Sequence, residues 1–118
     1  MMGYLTTHVL DTANGCPGAG IDIVVRRIDA EGAHTITRTT TNSDGRCDEP
    51  LVADAAFAVG RYELVFSVGA YFAGRRETLD EPAFIDDVVI RFGVADADAH
   101  YHVPLLVSPY GYSTYRGS

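Results

Sequence analysis

Gly60-Arg61-Tyr62-Glu63-Leu64-Val65-Phe66-Ser67-Val68 puts Tyr62, Leu64, Phe66 and Val68 at alternate positions, against Arg61, Glu63 and Ser67. Successive side chains of a strand point to opposite faces, so this spacing describes a strand with one face in a core and the other outside. The period recurs on both sides of that stretch. Residues 21–29 set Ile21, Ile23 and Val25 against Asp22 and Arg26, and residues 87–95 set Val88, Ile90, Phe92 and Val94 against Arg91. Residues 5–11, 34–41, 101–108 and 113–117 read as further strands. The breaks carry turn chemistry, as in Asn14-Gly15, Cys16-Pro17-Gly18, Glu31-Gly32, Asn42-Ser43-Asp44-Gly45 and Pro109-Tyr110-Gly111. Residues 70–79 alone have the composition of a short helix. Seven or eight strands with one short helix predict an all-β chain, an antiparallel β-sandwich.

The chain's 118 residues and 47% hydrophobic content suit one folded domain, residues 1–118, with a core of its own. Sixteen acidic against nine basic residues give a net charge of −7, which argues against non-specific binding to nucleic acid or an anionic membrane. All nine basic residues are arginine, a fixed charge with a planar fork suited to planar anions. No apolar run reaches the roughly 18–20 residues that cross a bilayer, and the start lacks the basic and apolar regions of a secretory signal, so the expected location is cytoplasmic. Cys16 and Cys47 form no C-x-x-C pair and are expected as free thiols.

Strand parity gives the first functional lead. If Val9 and Val103 face the core, then His8 and His102 share the outer face with Leu10 and Leu106. A face mixing histidine with leucine points to burial against another subunit, and two apposed sheets would make a cleft. The spacing of His100 and His102 puts both rings on one side of a strand. Three readings stand open for these imidazoles: interface residues with no task, a three-histidine zinc site with His8, or acid–base catalysis by neutral imidazole. Arg46, after the turn at residues 41–45, is a candidate anion binder. The ending Ser113-Thr114-Tyr115-Arg116-Gly117-Ser118 would place the Tyr115 phenol and the Ser118 hydroxyl and carboxylate at fixed positions if it packs into a cleft.

Three segments resemble the signatures of the 5-hydroxyisourate hydrolases, the transthyretin-related enzymes of urate breakdown. They are Leu5-Thr6-Thr7-His8-Val9-Leu10-Asp11-Thr12, Thr41-Asn42-Ser43-Asp44-Gly45-Arg46, and the run from His100-Tyr101-His102 to Tyr115-Arg116-Gly117-Ser118. The last four residues are the most specific element, because they separate the hydrolases from the hormone carrier transthyretin, which shares their fold. The resemblance implies a transthyretin-like sandwich and hydrolysis of 5-hydroxyisourate. It also implies a catalytic set of His8, Arg46, His102 and Ser118, with His8, Arg46 and Tyr115 binding substrate. It implies no cofactor and no metal, and a homotetramer built as a dimer of dimers with sites between opposing sheets. The competing reading is a transthyretin-like carrier that binds an aromatic ligand in that cleft.

Overall fold

In the computed structural model, which describes residues 2–75 and 80–117, two sheets enclose one core. The strands are β1 (Tyr4–Asp11), β2 (Cys16–Pro17), β3 (Asp22–Asp29), β4 (Gly32–Thr40), β5 (Val52–Ala53), β6 (Gly60–Phe66), β7 (Val88–Val94), β8 (His100–Ser108) and β9 (Gly111–Thr114). One sheet has the order β2-β1-β8-β9, with β5 also paired to β1; the other has the order β4-β3-β6-β7. The expected sandwich is present, and seven of its strands have four or more residues. β2 and β5, of two residues each, are too short to show a period in sequence. One pairing departs from the antiparallel rule: β1 and β8 run parallel, from Tyr4 opposite His100 to Asp11 opposite Val107. Parallel neighbours need a long connection rather than a tight turn, and these two lie at opposite ends of the chain.

The alternating apolar positions form the core. Leu5 and Val9 of β1, Ile23 and Val25 of β3, Tyr62, Leu64 and Phe66 of β6, and Val103, Leu105 and Val107 of β8 are all buried. The period at residues 60–68 breaks at its end: β6 stops at Phe66, and Val68 is buried as the first residue of helix α1 (Val68–Gly74) instead. α1 covers part of the expected helix; residues 76–79 lie outside the described residues. β4 is exposed over most of its length, and its β-branched threonines hold it as an edge strand.

α1 is tied to the end of β1 through Asp11, whose side chain is fully buried. The Asp11 carboxylate accepts hydrogen bonds from Ala13 N, Asn14 N, Asn14 Nδ2 and the Tyr71 hydroxyl, the last at 2.7 Å, and Arg75 Nε stands 3.5 Å away. Burial alone would raise the carboxyl's pKa, but the bonds from Asn14 and Tyr71 outweigh it and hold Asp11 below its ordinary 3.8. Burial and the bond to Asp11 push the Tyr71 phenol up. A carboxyl held below its unfolded-state value stabilises the fold fully above 3.8, and that contribution fades as pH falls through the folded-state value. Tyr71→Phe is therefore expected to cost about 1.5 kcal/mol in denaturant unfolding at pH 7. The variant should also lose less stability than wild type on acidification. Equal stability of the two proteins at neutral pH would remove Asp11 as the anchor of α1.

Candidate active site

β1 carries its side chains alternately in and out: Leu5, Thr7 and Val9 are buried, while Thr6, His8 and Leu10 lie part-exposed on the outer face. β8 does the same, with His100, His102 and Leu106 outside and Tyr101, Val103 and Leu105 inside. The parallel register sets Thr6 beside His102 and Tyr4 beside His100, so two strands bring one cluster to the outer face of the five-stranded sheet.

Arg46 reaches this face through its turn. Gly45 N donates to Asn42 O at 2.9 Å, and the Asn42 side-chain oxygen accepts from the amides of Asp44 and Arg46. Gly45 has φ +77°, and a Cβ there would overlap the carbonyl oxygen of Val9, so only glycine fits where the turn lies against β1. Val9 N donates to Gly45 O at 2.8 Å, and Arg46 forms an antiparallel bridge with His8. His8 Nε2–H donates to Asp44 O at 2.9 Å, which leaves Nδ1 as the basic nitrogen of the neutral ring. Arg46 Nε donates to the Asp44 carboxylate at 3.0 Å, an arrangement that holds the guanidinium while the Nη side of its fork remains suited to a planar anion.

Arg46 and His102 line one cleft of about 370 Å³, with Tyr4, Thr6, His100 and the rim residues Asp48 and Glu49. Thr6 Oγ1 stands 2.7 Å from His100 Nε2 and 2.8 Å from His102 Nδ1. The pKa of His102 lies below its ordinary 6.5, first through partial burial and then through the charges of His100, Arg46 and His8. These influences favour the neutral ring, the form that can take a proton from water. Among the described residues no three His, Cys, Asp or Glu side chains converge as a metal-ligand set.

The terminal segment crosses the same strand. Thr114 Oγ1 donates to Pro104 O at 2.7 Å, the Arg116 guanidinium lies 4.0 Å from the centre of the Tyr101 ring, and Gly117 N donates to His102 O at 2.7 Å. A Cβ on Gly117 would come within 2.7 Å of the His102 ring, which accounts for glycine in the closing motif. Ser118 lies outside the described residues. Tyr115 is not in the histidine cleft: it is 60% exposed and lines the groove between edge strands β7 and β9 with Ile90, Phe92, Tyr101 and Val103. His34 is exposed and bonded to Asp29, away from the site. Cys16 and Cys47 are free. Thr6 is the site residue that the sequence did not single out, because a threonine in a strand reads as β-propensity.

Two imidazoles and a guanidinium on the outer face of a small β-sandwich are groups suited to acid–base chemistry on an anionic substrate. The chain belongs to the HIUase/Transthyretin family, whose pattern matches residues 5–117. It is 58% identical to the 5-hydroxyisourate hydrolase of Pseudomonas aeruginosa PAO1 over 99% of this chain and 93% of that one. A solved (S)-allantoin synthase superposes with a TM-score of 0.94 at 45% identity; the match covers 99% of this chain and spans 44% of that longer protein. The 5-hydroxyisourate hydrolase of Klebsiella pneumoniae superposes with a TM-score of 0.80 at 33% identity, over 98% of this chain and 99% of that one. In an NMR titration the His102 ring is expected to protonate with a midpoint below 6.5, and Arg46→Gln should move that midpoint upward. An unchanged midpoint would mean that the Arg46 charge is not felt at His102.

Proposed function

We propose that this chain is a single-domain hydrolase that opens the six-membered ring of 5-hydroxyisourate to give 2-oxo-4-hydroxy-4-carboxy-5-ureidoimidazoline. The observation that carries the reading is the cleft shared by Arg46 and His102, where partial burial and neighbouring charges lower the His102 pKa. Water adds to a ring carbonyl carbon, the cyclic C–N bond breaks, and the departing nitrogen takes a proton. His102 and His8 act as the acid–base pair, work that typically contributes ~10²–10⁴-fold. Arg46 binds the planar anionic substrate and stabilises the oxyanion as it forms. Tyr115 hydrogen-bonds substrate, and Ser118 orients water or a histidine. Because Tyr115 lies outside its own protomer's cleft, its phenol reaches substrate across subunits in this reading.

The assembly in this reading is a homotetramer, a dimer of dimers, with each cleft closed by an opposing sheet. Leu10 and Leu106 beside the histidines give the outer face its apolar part, and Tyr110, Tyr112 and Tyr115 stand exposed along edge strand β9. Free thiols suit a cytoplasmic protein. A carrier of apolar aromatic ligands would gain nothing from Arg46, His100, His102, Asp48 and Glu49 lining the cleft.

Purified protein should accelerate the loss of 5-hydroxyisourate absorbance beyond its unaided decay. His102→Ala and Arg46→Ala should each remove at least about 10²-fold of kcat/KM. Wild-type turnover in either variant would overturn the site. Removing residues 115–118 should abolish most activity while the protein still unfolds cooperatively; an undiminished rate would confine the terminus to a packing role.

A further inference from the structure

His100 has no part in the chemistry above, yet its imidazole is held in the cleft on two sides. Its Nε2 contacts Thr6 Oγ1 at 2.7 Å, and its ring stacks on Tyr4 with centroids 4.1 Å apart and planes 11° from parallel. The same Thr6 oxygen stands 2.8 Å from His102 Nδ1. A hydroxyl has one proton, so Thr6 accepts from one imidazole N–H and donates to the lone pair of the other.

We propose that Thr6 is a proton relay, and that His100 rather than His102 holds the positive charge after water is deprotonated. The proposal rests on the acid–base role given to His102. Before the reaction, His102 Nδ1–H donates to Thr6 Oγ1 and Thr6 O–H donates to His100 Nε2, so His102 presents the lone pair of Nε2. Three transfers follow. A proton of the attacking water goes to His102 Nε2, the Nδ1 proton of His102 goes to Thr6 Oγ1, and the Thr6 proton goes to His100 Nε2. Hydroxide adds to the carbonyl, His102 is again neutral with its proton on the other nitrogen, and His100 carries one positive charge. The reverse sequence returns a proton through His102 Nε2 to the departing ring nitrogen, and no proton is lost or gained.

The surroundings favour this placement. Partial burial, and then the charges of His100, Arg46 and His8, disfavour the cationic form of His102. His100 lies on an aromatic face, where the ring's negative quadrupole attracts an imidazolium as it does other cations. Asp48 and Glu49 line the same cleft. Thr6 and His100 are positioning residues in this scheme, since they act on substrate only through His102.

Thr6→Val keeps the β-branched shape and removes the hydroxyl. It is expected to lower kcat by about tenfold to a hundredfold with KM nearly unchanged, while Thr6→Ser recovers most of the rate. His100→Phe, which retains a ring on Tyr4 but accepts no proton, should match Thr6→Val, and the double variant should be no slower than either. Nitrogen-15 spectra of the free wild-type protein should show neutral His102 carrying its proton on Nδ1, the tautomer the relay requires. Wild-type kcat in Thr6→Val, an equally slow Thr6→Ser, additive losses in the double variant, or a His102 proton on Nε2 instead would each overturn the relay. If Thr6→Val does not fold, His100→Phe and the spectra decide alone. His102→Ala separates the two layers: inactivity there with full activity in Thr6→Val and His100→Phe removes the relay and leaves the hydrolase reading intact.

Discussion

The site depends on the register between the first long strand and the last. Eight consecutive residues of β1 lie beside eight of β8, from Tyr4 at His100 to Asp11 at Val107. That pairing puts Thr6 against His102 and leaves His8 two positions further along the same outer face. The opposite faces of the two strands supply Leu5, Val9, Val103, Leu105 and Val107 to the core. Slipping one strand by a single residue would turn its apolar side outward and its polar side inward, so the hydrophobic core fixes the geometry of the imidazoles. The alignment of these side chains is held by burial on the far side of the sheet.

Much of this was legible in the sequence because alternation reports faces. The outward parity of His8 and His102 holds in the structure, and it needed only the apolar positions between them. Alternation carries no direction, however, so the parallel sense of β1 and β8 was not legible, and with it the contact between Thr6 and the two histidines. The relation of His8 to Arg46 was also hidden. It arises from the Gly45 turn lying against the β1 backbone, a contact between main-chain atoms that leaves only a glycine as its trace. A histidine pair spaced by two on one strand does call for a polar neighbour across the ladder, and that signal would have pointed to Thr6 once the pairing was known.

The polar groups of the site place a fixed positive charge on Arg46 and, beside it, lower the pKa of His102. Asp44 restrains the guanidinium and accepts from His8, which ties one imidazole and the cation to a single turn. His102 is left beside them with its proton affinity reduced. Asp11, on the buried side of β1, follows the opposite logic: several donors converge to keep a carboxylate charged, and the result is structural. One strand thus carries the candidate site on its outer face and an anchor at its buried end, separated by the alternation of its side chains.

The most direct test is a crystal structure of the assembled protein with a non-reactive planar purine analogue. The analogue is expected in the gap between two facing five-stranded sheets, with the Arg46 fork on its anionic edge and His8 and His102 flanking one ring carbonyl. An analogue seated away from those three groups, or an assembly that leaves the histidine face open to solvent, would contradict this account.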